Sequence, residues 1–335
     1  MMRTLSSRGR HSGQGRRPRP GIQEQYAVAD EKGSNFFDPP HPDPLPSGRG
    51  NFRRLCYFFS VVLMVGAVAL SEDAHAQTPQ RIVSLAPSVT ETLFALGAGE
   101  QLVGICTFCD FPHEVERIDR IGAYLNPNVE AIVAKRPDVV IGVPPNNPEA
   151  IVALQRLGLR AIVVRVETIA EIEAAIRTIA QEAGREAQGE KLLADMRQRM
   201  AAVRKRLEGA PQRRVLMVVG QTPLIAVGSG IFLDELINQA HGVNIAASAK
   251  QPWPHLSLEV AVASQPEVII DGSMGSEETQ DAEQQLGIWR NFPTVPAVRD
   301  GRLHGRLSAA ILRPGPRLPE AFEELARLIQ PERFQ

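Results

Sequence analysis

The residues of this chain best suited to chemistry are few, and their spacing excludes more than it offers. Cys106 and Cys109 stand in a C-x-x-C spacing, which can close a disulfide, cycle as a redox pair or supply part of a metal site. A four-cysteine zinc site is excluded, because the sequence holds 3 cysteines and Cys56 lies in an apolar leader. Thioredoxin-like cycling requires the motif to open a helix, yet Asp110, Phe111 and Pro112 follow at once, and Pro112 keeps its predecessor extended. In an oxidising compartment a structural disulfide is the first reading of the pair, free thiols the second, and redox or metal chemistry the last. Downstream of the leader the histidines are His113, His241, His255 and His304, and no two share an i, i+4 or other ligand spacing. No resident metal is expected. Gly220, Gln221, Thr222 and Pro223 lack the phosphate-loop lysine, and Gly228, Ser229 and Gly230 lack the G-x-S-x-G setting. No catalytic residue stands out, and no enzyme activity or cofactor is expected.

What these residues need is a scaffold, and the 335-residue chain, 43% apolar, has enough for two domains. Residues 1–52 are rich in Arg, Gly and Pro without apolar period, and are read as disordered or as lying upstream of the true start. Arg53 and Arg54 then precede the apolar run 55–70, which ends in Ala74, His75 and Ala76. A positive start, a short apolar core and an A-x-A site describe a signal peptide, 53–76, cleaved near Ala76. The run is shorter than the roughly 20 residues of a spanning helix. Past Ala76, 27 Lys plus Arg face 31 Asp plus Glu, a net charge of about −4. No basic stripe exists for nucleic acid.

From residue 80 onward β-branched runs alternate with helical patterns. Strands are expected at 81–85, 102–105, 138–143, 161–166, 214–219 and 267–271, with helices at 89–96, 129–135, 148–157, 169–181, 232–240, 258–263 and 319–329. Such alternation predicts an α/β protein of mostly parallel sheets flanked by helices. The longest helical pattern, 186–207, repeats apolar residues at Leu192, Leu193, Met196, Met200, Val203 and Leu207 and reaches roughly 30 Å. It is read as a rigid bridge, 184–211, between an amino-terminal lobe, 77–183, and a carboxy-terminal lobe, 212–335. An internal echo links the lobes, for 128–141 (NVEAIVAKRPDVVI) matches 257–270 (SLEVAVASQPEVII) in residue type throughout. Each begins with a capping side chain, carries Glu130 or Glu259 in the first turn, meets Pro and enters a buried strand. The helix dipole by itself favours a Glu there.

The opening 81–97, RIVSLAPSVTETLFALG, resembles the solute-binding proteins that feed ABC importers of metal chelates, in which one long helix joins two lobes. Three further stretches are most similar to the cobalamin-binding members: Cys109 to Pro112, Pro252-Trp253-Pro254, and 313–317, RPGPR. The resemblance spans residues 80–333. It implies a corrin ring, carried as transported ligand and not as cofactor, held between aromatic faces at Phe108, Tyr124 and Trp253, with Arg313 at the cleft edge hydrogen-bonding peripheral amides or the nucleotide phosphate. A broad, mostly uncharged macrocycle suits such faces. It also implies that Glu130 and Glu259 dock on arginines of the importer's membrane subunits, where paired charges set encounter rate and orientation. The protein is then a periplasmic monomer that moves little on binding. Departures are Val143-Pro144-Pro145 and 308–311, which lack aromatics the pattern carries. Haem or a ferric siderophore is the alternative ligand, with Tyr124 and His255 as candidate iron ligands.

Overall fold

The computed structural model describes residues 81–144, 148–273 and 282–335. The leader 53–76, the segment 1–52 and Pro145 lie outside the described residues. Two sheets form, one on each side of a long helix in the chain order. The first is wholly parallel in the order β2-β1-β3-β4, with β1 Ile82–Ser84, β2 Leu102–Ile105, β3 Val139–Gly142 and β4 Ala161–Val163. Its helices are α1 Pro87–Ala95, α2 Val129–Ala134, α3 Pro148–Arg156 and α4 Ile169–Glu182. A reciprocal capping box at Thr168 and Glu171 starts α4, supplying partners to backbone N–H groups that a helix start leaves unpaired.

The long helix α5 runs Glu186–Arg206, and packs on α4 of the first half and on α10, Leu318–Ile329, of the second. Its buried stripe includes Leu193, Met196, Met200 and Val203 of the sequence period, while Leu192 is only partly buried against the core. Each such side chain contributes roughly 1.5–3 kcal/mol of burial. Beyond α5, the central strand β5 (Arg213–Gln221) pairs in parallel with β7 (Gly242–Asn244) and β8 (Val268–Asp271), and antiparallel with β6 (Leu224–Ala226). The two-residue β9 (Leu303–His304) extends β8 in parallel. Helices α6 (Phe232–Gln239), α7 (Leu258–Ala263), α8 (Ala282–Arg290) and α9 (Pro296–Arg299) complete this half. The mostly parallel, helix-flanked architecture therefore stands. Strands β6, β7 and β9 escape the sequence pattern because two or three residues carry too little alternation to register. For the same reason 161–166 overstates β4, which ends at Val163.

Successive strand residues face opposite sides of a sheet, and the core divides accordingly. Ile82 and Ile105 join Val215, Met217, Phe322 and Ile329 in one buried cluster that runs through both halves. Val83 and Val140 belong to a cluster confined to the first half, Leu216 and Trp289 to one confined to the second.

The internal echo is a structural repeat. The Asn128 side chain accepts from the Ala131 amide at 2.9 Å, and the Ser257 hydroxyl from Val260 at 3.3 Å, each opening a six-residue helix. Both helices end through a left-handed residue just before proline, Arg136 at φ 46° and Gln265 at φ 50°. The repeat also includes an arginine. Arg81 Nε donates to the Lys135 and Arg136 carbonyls at 3.1 and 3.2 Å, while Arg214 Nε donates to the Gln265 carbonyl at 3.0 Å. Each thus clasps carbonyls at a helix end that has no intrahelical donor.

Candidate functional site

The parallel strands of the first half end in loops, and the one after β2 carries Phe108. Cys106 and Cys109 are buried beneath it as thiols, Sγ to Sγ 2.7 Å. The Cys109 amide donates to the Cys106 carbonyl at 3.2 Å, closing a tight turn. Arg120 donates to both cysteine carbonyls and Thr90 Oγ1 to Cys109 Sγ at 3.2 Å. The turn therefore has its sulfurs inward, and Phe108 projects outward, 55% exposed. The contact with Cys109, with burial behind it, pushes the Cys106 thiol up, whereas that same contact holds Cys109 down against its burial.

Tyr124 stands on the next loop. The Thr107 amide donates to the Gly122 carbonyl at 3.0 Å, joining the two loops, and Gly122 pairs across to Pro127. Gly122 has φ +112°, and a Cβ there would meet the Asn128 amide nitrogen at 2.5 Å, so only glycine closes this loop. Tyr124 is half-buried against the core, and burial raises its pKa. The structure thus brings Phe108 and Tyr124 onto adjoining, cross-linked loops.

Trp253 belongs to the second half. Its loop lies along β6 and the residues after it, with Ala226, Gly228 and Ser229 amides donating to the Pro254, Pro252 and Gln251 carbonyls at 3.0, 2.8 and 3.1 Å. The approach is so close that a Cβ on Gly228 would sit 1.9 Å from the Gln251 oxygen. Buried Asn244 donates to the Val227 and Gly228 carbonyls at 3.1 and 3.2 Å and to Asp234 at 2.8 Å, steadying the supporting strand. The indole is left 46% exposed on a fixed loop. His255, two residues on, is exposed and bridges Ile225 through its backbone. Trp289, by contrast, is a core residue, donating to buried Asp271 at 3.0 Å.

Arg313 is occupied by protein groups. Its Nη2 donates to Asp110 Oδ2 at 2.7 Å, its Nη1 makes a second contact to Asp110, and Nη1 also reaches Glu91 Oε1 at 3.1 Å. Burial works against the charge, yet Asp110 and Glu91 raise the Arg313 pKa, and Arg313 in turn holds Asp110 low. Sequence reasoning missed Glu91, Arg317, Gly228 and Asn244. A signal existed for Glu91, the sole charged side chain of α1.

Glu130 and Glu259 are exposed in the first turns of α2 and α7, at equivalent places in the repeat. The Ser257 hydroxyl holds the Glu259 carboxyl below its usual range. Among the described residues no group of three or more His, Cys, Asp or Glu is placed to hold a metal ion, and no helix is long and apolar enough to cross a membrane.

A family model described as periplasmic binding protein matches residues 82–305. The chain belongs to that family. A vitamin B12-binding protein of Pectobacterium carotovorum is 29% identical over 249 residues, 73% of this chain and 86% of the relative. The crystal structure of the periplasmic vitamin B12 binding protein BtuF of Vibrio cholerae superposes with TM-score 0.67 at 27% identity, covering 77% of this chain and 99% of that one. The periplasmic heme-binding protein RhuT of Roseiflexus gives the same TM-score and identity over 76% and 99%. The family and these relatives are binding proteins, and the two-sheet architecture is theirs.

Proposed function

We propose that this protein is exported to the periplasm, captures cobalamin or a related corrinoid there, and hands it to the membrane subunits of an ABC importer. The observation that carries the reading is the pair of large aromatic side chains, Phe108 and Trp253, left half exposed on loops pinned by backbone hydrogen bonds. An exposed aromatic costs hydration, and fixing it in place adds no binding cost when a flat ligand covers it. Tyr124 adds a third face. Arg313, whose partner Asp110 is itself exposed, has one arm that a ligand amide or phosphate can engage by displacing that carboxylate.

The halves correspond to 77–183 and 212–335, joined through 184–211, and the signal peptide ends near Ala76. Glu130 and Glu259 present one exposed acid on each half, at equivalent places in the repeat, which suits a transporter with two like subunits. Cys106 and Cys109 serve the turn under Phe108, closing to a disulfide in an oxidising compartment by giving up two protons and two electrons to a disulfide-exchanging oxidant. The protein acts as a monomer, without catalysis, and its ligand is cargo.

The test is titration calorimetry of residues 77–335 with cyanocobalamin, with haemin and a ferric siderophore as parallel arms. One-to-one binding of the corrinoid alone supports the reading. Haemin binding without corrinoid binding overturns the ligand and favours the haem alternative, with Tyr124 and His255 as the residues to replace.

A further inference from the structure

The two halves meet through a charged cluster that reaches Arg313 and Asp110 and is centred on Glu91, a carboxylate to which the proposed function gives no role. Glu91, in the middle of α1, has a carboxylate only 1% exposed. Arg317 approaches it as a two-pronged fork, Nε to Oε2 at 2.9 Å and Nη2 to Oε1 at 2.8 Å. Arg313 shares Oε1 at 3.1 Å and extends to Asp110. The Arg317 guanidinium also lies over the Phe111 ring, 4.2 Å from its centre. Glu91, Asp110 and Phe111 come from the first half. Both arginines come from the segment that leads into α10, and α10 packs with α5, α6 and β8 of the second half. The approach is close along its length, since a Cβ on Gly315 would rest 3.5 Å from Ser88.

The arrangement is directional. A carboxylate removed from water is tolerable only while its cation stays with it, and a guanidinium fork fits a carboxylate in one orientation. Separation of the halves at this point would cost Glu91 both the Arg317 fork and the Arg313 contact. Asp110 and Phe111 directly follow the turn that projects Phe108, so whatever fixes them fixes that aromatic relative to α10. A second fastening lies elsewhere between the halves. The Phe232 amide of α6 donates to the Glu167 carbonyl at 2.6 Å, and the Ile169 amide at the start of α4 donates to Glu235 at 3.3 Å. With α5 as a third connection, rotation of one half on the other is opposed at three places.

We propose that Glu91 and Arg317 are positioning residues, an interlobe latch that holds the Phe108 loop against the second half and sets the width of the gap into which the ligand fits. The inference deepens the corrinoid-binding reading and rests on it for the identity of the ligand. The latch keeps the binding-competent opening populated before ligand arrives. If a variant occupies that opening only about one-tenth of the time, its apparent Kd rises about tenfold with no ligand contact altered.

The experiment places nitroxide labels on cysteines introduced at Val152 and Val243, exposed positions on α3 and β7. Pulsed electron spin resonance then reads the distance between the halves in residues 77–335. The parent is expected to give a narrow distribution that cyanocobalamin leaves unchanged. Glu91→Gln and Arg317→Lys, which keep size or charge but lose the fork, are expected to broaden it without ligand, and saturating cyanocobalamin to narrow it again. Their Kd for cyanocobalamin should rise about tenfold, mainly through slower association. Should either variant fail to fold, Asp110→Asn and Phe111→Ala weaken the exposed side of the cluster and should broaden the distribution to a smaller extent. Variant distributions as narrow as the parent's overturn the latch, even where thermal stability falls. The ligand-free distances need no corrinoid, so a parent that fails to bind cyanocobalamin refutes the functional reading, while the latch is still judged on those distances.

Discussion

Gly228→Ala places one methyl group where the Trp253 loop already stands. The new Cβ would lie 1.9 Å from the Gln251 oxygen and 2.7 Å from Pro254 Cδ. Backbone on one side and a proline ring on the other cannot swing aside as a flexible side chain does, so the loop has to retreat by about 1 Å or more to reach van der Waals distance. A retreat of that size lengthens the bonds from the Ala226, Gly228 and Ser229 amides to the Pro254, Pro252 and Gln251 carbonyls. At roughly 1 kcal/mol for each, the loss of two or three is about 2–3 kcal/mol of stability. It also carries the indole out of register, and a comparable loss of ligand contact weakens Kd by about 30–150-fold. Calorimetry with cyanocobalamin and urea melts read these two effects. Iodide quenching adds an independent readout, because of the two tryptophans Trp289 is 1% exposed and Trp253 46%. Gly287→Ala is the control: it lies in α8, nothing stands within 4 Å of its added Cβ, and the helix should gain about 0.5–1 kcal/mol. Parent affinity, stability and quenching in Gly228→Ala would refute the reasoning.

Three further outcomes are expected. Burial, with Asp234 and Glu171 adding to it, raises the Glu235 pKa, so its contribution to stability is present below the ordinary carboxylate range and lost as pH rises through the folded value. Glu235→Gln should therefore be more stable than the parent at pH 8 by a few tenths of a kcal/mol, the group being only partly buried, with the gain fading by pH 4; an equal difference at both pH values in urea melts would rule this out. Reversing Glu130 and Glu259 to Arg together should leave Kd for cyanocobalamin unchanged while importer-stimulated uptake in vesicles falls at least tenfold, and undiminished uptake would remove the docking role. Replacing Cys106 and Cys109 by Ser should lower the thermal midpoint through poorer burial while corrinoid binding stays within about threefold of the parent. Loss of binding at unchanged stability would instead place the sulfurs in the ligand site.

Much of this protein was legible as local pattern. The echo between 128–141 and 257–270 announced two helix-to-strand units, because capping, a first-turn acid and a proline stop act within a few residues of one another. The period along α5 gave its buried stripe directly. Phe108 and Trp253 were identified from motif resemblance, and the structure leaves both half exposed. Arg313 shows the other side. The resemblance implied an arginine at a cleft edge, yet its partners are Glu91, 222 residues earlier, and Asp110, 203 residues earlier. No local pattern connects a carboxylate on α1 to an arginine before α10, since the pairing arises only when α1 packs against the segment 313–317. The seating of Trp253 was settled the same way, by main-chain atoms of 226–229 meeting those of 251–254, for which side-chain sequence carries one trace, the glycine at 228. The sequence by itself determined the longer strands and helices and the faces they bury, because those choices follow short-range periodicity and capping. The tertiary structure decided which charges hold the halves together, because only the packing of α1 on the segment 313–317 brings Glu91 within reach of both arginines and shields the contact from water.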